Sequence, residues 1–296
     1  MQIVKFGQQL NTPVVLCLGY FETMHLGHRA LLACAKDFTH RQDCKTALFT
    51  FDHKGDEEVY TVDERMHLYA ELGVDYVVYA DFTPSFKQTC GKDFVADLFA
   101  TINIKALVCG TDYTFGCDRS GTFELTRFIC GRCPLFVVKP VVSDDLKVSS
   151  TTVRSLLKQG DLTTANKLLG QPYFIEGTVC HGRGVGKTIG FPTANIAVSP
   201  DKILPQGVFG GVTNIDGTTY PVIVNIGGKP TFDVANPTVE VHVIGFGGNL
   251  YERQLTVRLT EFLRATTKFD TVDELVLQLQ RDVNKLKEIH NDQIRS

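Results

Sequence analysis

The sequence predicts an α/β domain built on a parallel sheet, followed by a small antiparallel β-barrel with a terminal helix. Three observations carry that prediction. Strand-length apolar runs alternate with helical spacing through the first half, the βαβα order of a parallel sheet covered on both faces. The second half changes to short apolar runs separated by Gly, Asp and Asn turns, the spacing of a small barrel. At 296 residues and 43% hydrophobic, the chain is long enough to bury two cores.

In order, the first half reads as a strand over 14–18 ended by Gly19, a helix over 26–36 and a strand over 46–51. A helix over 63–72 with acidic residues in its first turn and a strand over 74–80 follow. Then come a helix over 92–101, a strand over 104–109, a helix over 122–130 and a strand over 135–142. Two further helices, 151–158 and 162–169, complete a first domain of residues 1–170. The second of them has Asp161 as N-cap and Gly170 as its stop. Pro172 marks the boundary, and residues 171–296 form the second domain. Its strands are expected over 174–179, 208–215, 220–226, 238–244 and 255–262, with Asp216-Gly217 as a two-residue hairpin turn. A capping box, Thr271-x-x-Glu274, opens the last helix. Its stripe of Val272, Leu275, Leu279, Val283, Leu286 and Ile289 is expected to pack on the barrel.

A net charge of −3 lacks the basic footprint of a nucleic-acid binder. No long apolar segment or N-terminal signal is present, so a cytoplasmic protein without membrane contact is expected, a monomer or weak oligomer. The nine cysteines are an odd, scattered set, and Cys130-Gly131-Arg132-Cys133 has no second pair with which to build a zinc site.

Chemistry concentrates in four places. Gly190-Phe191-Pro192-Thr193-Ala194-Asn195 follows a loop in which Gly182, Gly184, Gly186 and Gly190 surround Arg183 and Lys187. Glycines let backbone N–H groups approach an anion, and the two cations supply charge. Pro192 breaks strand pairing, so the segment reads as an edge or an arch. In extended backbone Thr193 and Asn195 point the same way, a hydroxyl beside an amide oxygen, suited to a Mg²⁺ that keeps waters and nucleotide oxygens. Second, His25-Leu26-Gly27-His28 lies between the Gly19 turn and the first helix. Imidazoles at i and i+3 share a face there, at a helix N-terminus that favours anions. Third, Ser149-Ser150-Thr151-Thr152-Val153-Arg154 opens a helix with hydroxyls that either cap it or bind phosphate. Fourth, Glu240 in Thr238-Val239-Glu240-Val241-His242 is either a proton acceptor or an outward-facing strand carboxylate.

The run Gly182 to Ile196 closely resembles the nucleotide loop of riboflavin kinases. Pro205-x-Gly207-Val208-Phe209, Asn225-Ile226-Gly227-Gly228-Lys229-Pro230-Thr231-Phe232, Val239-Glu240-Val241-His242 and Leu250-Tyr251 continue the resemblance in that family's order. The first half is similar to the adenylyltransferase module that bacteria fuse to this kinase, a Rossmann-like nucleotidyltransferase carrying HxGH early and SSTxxR late. The whole chain thus resembles the bifunctional riboflavin kinase/FAD synthetases. The resemblance implies phosphorylation of riboflavin to FMN by the barrel and adenylylation of FMN to FAD by the sheet domain, each with Mg²⁺ and ATP. It implies that Gly19, His25, His28, Ser149, Ser150, Thr151 and Arg154 hold one triphosphate. Gly184, Gly186, Lys187, Thr193 and Asn195 hold the other, with Thr193 and Asn195 on the metal and Glu240 as base. It also sets Asp112, Tyr113 and Arg264 beside flavins. The pattern is broken at Glu22-Thr23, where the family has Asp-Gly, at Asp52-His53-Lys54, at Thr152 and at Lys187. The alternatives are a kinase whose first domain is weakened or inactive, and a non-catalytic flavin-binding regulator.

Overall fold

Residues Val14–Leu18 are buried without exception, as a strand covered on both faces must be. They end β2 (Leu10–Leu18), a central strand of the sheet. The computed structural model describes every residue except 53–56, 118–120, 123, 124, 126, 128–130, 132, 183–189, 228–237 and 296.

Before β2 lies β1 (Gln2–Lys5), and after it come α1 (Leu26–Thr39), β3 (Lys45–Phe51), α2 (Val62–Glu71) and β4 (Tyr76–Ala80). The short α3 (Pro84–Lys87), α4 (Gly91–Thr101), β5 (Ile102–Gly110) and β6 (Leu135–Val138) follow. The six strands pair in the order β1-β4-β3-β2-β5-β6, and every pairing is parallel. The chain builds outward from β2 on one side, then crosses to β5 on the other. The switch point of this sheet, where α/β folds bind ligands, therefore lies beyond Leu18 and Gly110. The strand expected over 135–142 stops at Val138. Pro140 follows, and the chain forms a hairpin of β7 (Val142–Ser143) and β8 (Leu146–Lys147) instead. The helix expected over 122–130 falls largely outside the described residues.

The chain divides into compact units Met1–Thr152 and Val153–Ser296, earlier than the 170/171 boundary read from Pro172. The difference comprises most of α5 (Ser150–Gln159) and all of α6 (Leu162–Leu169). Asn166 on α6 donates to Leu259 O at 2.9 Å and accepts from Tyr173 N at 2.7 Å, fastening the helix to two strands of the barrel.

Six antiparallel strands close that barrel: β9 (Tyr173–Cys180), β10 (Ala194–Ala197), β11 (Gly207–Ile215), β12 (Thr218–Gly227), β13 (Thr238–Val243) and β14 (Gln254–Arg264). Asp216 and Gly217 make the β11–β12 hairpin turn with φ of 52° and 83°. Of the two readings of the Pro192 segment, edge or arch, the structure shows the arch. The chain arches at Pro192 but resumes pairing at Ala194, and β10 is bonded on both sides, to β9 and β13. On the last helix, α7 (Val272–Arg295), Leu286 is fully buried, and Val283 and Ile289 pack with Val208, Ile223 and Leu263. Val272 departs from the expected stripe. It is 58% exposed, in a first turn that faces water.

Candidate active sites

A cavity of about 750 Å³ opens in the first unit at the switch point of the sheet. The strand ends Leu18 and Gly110 line it with Gly19, His25, His28, Asp112, Tyr113, Lys147 and Ser149. The turn that carries the histidines is strained. Phe21 and Met24 hold φ of 53° and 45°, each costing roughly 1–3 kcal/mol for a side chain with a Cβ. Thr23, standing where the family has Gly, is not at positive φ. The turn is held by hydrogen bonds at every step. Thr50 Oγ1 donates to Tyr20 O at 2.6 Å, Tyr69 Oη to Phe21 O at 2.9 Å, and Val59 N to Glu22 Oε1 at 2.8 Å. Glu22, the other departure, thus receives a backbone N–H while only 1% exposed. Arg65, fully buried on α2, braces the end of β3 by donating to Phe51 O and Asp52 O, both at 2.9 Å.

His25 caps α1, its Nδ1 accepting from His28 N at 3.1 Å. A Cβ at residue 27 would press on the His25 ring at 3.0 Å, so Gly27 is what lets that ring fold over the helix. The two imidazoles stack with centroids 3.8 Å apart and planes 11° off parallel. Burial pushes His25 down to about 4, and burial followed by its neighbour holds His28 well below the usual histidine range. Both rings are neutral near pH 7. Because His25 Nδ1 accepts, its proton sits on Nε2, which is left to donate to a ligand. His28 Nδ1 is buried without a hydrogen-bond partner among the described residues.

Ser149 is the cap of α5, accepting from Thr152 N at 3.2 Å and bonded to Thr152 Oγ1 at 2.9 Å. Thr152 also donates to Lys147 O at 3.0 Å. Ser150 Oγ meets Thr23 Oγ1 at 3.1 Å, which brings the SSTxxR helix against the histidine turn. Thr151 and Arg154 lie further along α5, Arg154 in the portion counted with the second unit. Asp112 is exposed and pairs with Lys147 at 3.4 Å. Tyr113 stacks on Phe115, centroids 5.5 Å apart, and burial raises its hydroxyl.

Lys147 was missed in the sequence, as were Phe51, Phe82, Phe86 and Phe94. Those rings pack edge-on or tilted against one another and wall the cavity with a flat apolar surface. Nothing local signals them, because they come from a strand end, a loop and two helices.

In the barrel unit, Asn195 on β10 stands opposite Glu240 on β13, and Glu240 stands opposite Asn225 on β12. Opposed residues of antiparallel strands project on one face. Buried neighbours on either side of each residue, Val239 and Val241 around Glu240 for example, make that face the outer one. Thr193 is exposed, just before β10. His242 donates from Nδ1 to Pro192 O at 2.8 Å and packs beside Phe191, pinning the Pro-Thr-Ala-Asn arch to β13. Gly190, at φ 82°, makes the bend that leads into it. The Asn195 carboxamide lies over Gly182, where any Cβ would overlap it. Gly184, Gly186 and Lys187 lie outside the described residues. Arg264, expected beside a flavin, is paired with Asp282 of α7. Its Nε and Nη2 donate to that carboxylate at 2.9–3.1 Å, and Asp282 is 3% exposed. The ring of Phe269 lies 5.7 Å beneath the guanidinium.

Known proteins resemble both units. The FAD synthetase family matches residues 7–152 and the riboflavin kinase family residues 169–290. A Listeria monocytogenes protein named bifunctional riboflavin kinase/FMN adenylyltransferase is 32% identical over 90% of each chain. One of the same name from Escherichia coli K12 is 31% identical over 95% of this chain and 94% of its own. A Streptococcus pneumoniae crystal structure, described as a macrolide-efflux protein, superposes with a TM-score of 0.87 at 29% identity, covering 96% of this chain and 98% of that one. Among the described residues no helix is long and apolar enough to cross a membrane. With both halves matched in order and over nearly full length, the chain belongs to the bifunctional riboflavin kinase/FMN adenylyltransferase family.

Proposed function

We propose that the barrel unit phosphorylates riboflavin to FMN and that the sheet unit adenylylates FMN to FAD, each consuming ATP. The observation that supports this reading is that each unit holds its own cluster of polar residues from the motifs quoted above. In one the histidine pair lies beside the Ser149 cap on a flavin-sized cavity; in the other Asn195 stands opposite Glu240.

In the kinase reaction the riboflavin primary alcohol attacks the γ-phosphorus, its O–P bond forming as the bond to the β-phosphate breaks and ADP leaves. Glu240 accepts the alcohol proton. Thr193 and Asn195 offer neutral oxygens on the side of the barrel where Glu240 stands. That donor set fits a Mg²⁺ that keeps its phosphate and water ligands. The metal, when bound, supplies charge neutralisation at the phosphates. Gly182 leaves room for the Asn195 amide, and His242 holds the arch in place.

In the adenylyl step a phosphate oxygen of FMN attacks the α-phosphorus of ATP and pyrophosphate leaves. Neutral His25 and His28 donate hydrogen bonds to the phosphates, where negative charge shifts during transfer. Gly19 and Ser149 on the cavity wall, with Ser150 and Thr151 beside them in sequence, complete the triphosphate site, while Asp112 and Tyr113 border the flavin. Lys147 adds a cation at the mouth. The pairing of Arg264 with Asp282 supports a framework role for this arginine at the end of β14 rather than direct flavin contact.

Incubating the chain with Mg²⁺, ATP and riboflavin, and separately with FMN, tests both steps. FMN and then FAD are expected. FMN without FAD would leave a kinase alone, and flavin bound without turnover would leave a regulator.

A further inference from the structure

Thr23 is a departure from its family's pattern, yet it is 1% exposed and bonded at 3.1 Å to Ser150, 127 positions away in the chain. That contact joins the two halves of the nucleotide cradle. Two residues after Thr23 stands His25, and one before Ser150 stands Ser149, and both line the cavity. The joint falls at a strained point, between the left-handed residues Phe21 and Met24. Ser150 is the first residue of α5, where backbone N–H groups lack intrahelical acceptors and face an anion readily. A glycine at position 23, the family's usual residue, could make no such side-chain bond.

We propose that Thr23 is a positioning residue of the adenylyl-transfer site. Its hydroxyl fixes the Ser150 side chain and locks the histidine turn to the N-terminus of α5, so that both halves of the cradle meet one triphosphate. The family's Asp-Gly is thus replaced here by a pair of residues that tie the turn down from within. Glu22 accepts the Val59 N–H, and the Thr23 hydroxyl is hydrogen-bonded to that of Ser150. This rests on the reading of the first unit as an FMN adenylyltransferase.

The test uses the full chain and follows both reactions. Thr23→Val keeps the shape and removes the hydroxyl, and Thr23→Ser keeps the hydroxyl. In Thr23→Val, kcat for FMN adenylylation should fall about tenfold, the effect of one buried hydrogen bond. KM for FMN should stay unchanged, and riboflavin phosphorylation should stay at the parent rate. Thr23→Ser should restore most of the loss. Parent-like adenylylation in Thr23→Val would overturn the proposal. So would a parallel loss of riboflavin phosphorylation, which would assign the bond to the fold rather than the site, or a Thr23→Ser as impaired as the valine. A parent chain that forms no FAD at all would instead refute the adenylyltransferase reading.

Discussion

The two units solve one problem, holding a triphosphate against a flavin, by opposite means. The sheet unit gathers its candidate site at the strand ends. Helix N-termini, a strained turn and two neutral imidazoles converge on a cavity walled by aromatic rings. In the barrel unit the proposed site is set by strand register, with Asn195 of β10 opposite Glu240 of β13. The first kind of site works through fixed dipoles. The second, as proposed, leans on a metal that brings its own ligands. The difference teaches that the two reactions should fail independently, and that each should fail through a different kind of residue.

The sharpest break in the comparison is expected from Glu240→Gln. Riboflavin phosphorylation should drop by about 10²–10⁴, the usual worth of a general base, with FMN adenylylation untouched, read by separating flavin products on one preparation. His28→Ala should do the converse, lowering FAD formation by about 10²–10³. Loss of both activities in either variant would refute independent sites. Gly182→Ala should have an intermediate effect. The new methyl displaces the Asn195 carboxamide, and kinase turnover should fall about 10- to 100-fold, with a raised Mg²⁺ requirement as its signature.

The smallest effect sharpens the contrast through pH. Burial holds His25 at about 4, so between roughly pH 6.5 and 4 the unfolded chain takes up a proton that the native chain refuses. Stability is whole above that window and declines as pH falls through it, by on the order of 3 kcal/mol at most from this group. His28 adds in the same direction. Urea unfolding followed by circular dichroism, since the chain has no tryptophan, should show this slope. His25→Asn, which keeps a capping side chain, should flatten it; an unchanged slope would mean the imidazole is not held neutral.

Much of this was legible in the sequence because it is local. HxGH between a strand and a helix, the capped start of α5, the Asp216-Gly217 turn and the change from helical to strand spacing each need only a few neighbouring residues. What depends on distant partners was not. Pro192 reads as a break, and only the three-dimensional pairing shows Asn195 seated between Cys180 and Glu240. Arg264 reads as a site cation, and only the fold shows its pairing with Asp282 of α7. Thr23 reads as a defect until Ser150 is beside it. The phenylalanine wall has no periodicity, since its members come from separate elements.

One feature of the barrel joins folding to chemistry. The short strand β10 carries Asn195 and is also the stave that seals the cylinder, zipped to β9 on one flank and β13 on the other. A molecule in which that stave has come loose exposes two raw sheet margins, open to intermolecular pairing, and parts Asn195 from Glu240 as well. If the proposed nucleotide site holds, saturating ATP acts as a clasp, and chains starved of it should be the first to clump on warming.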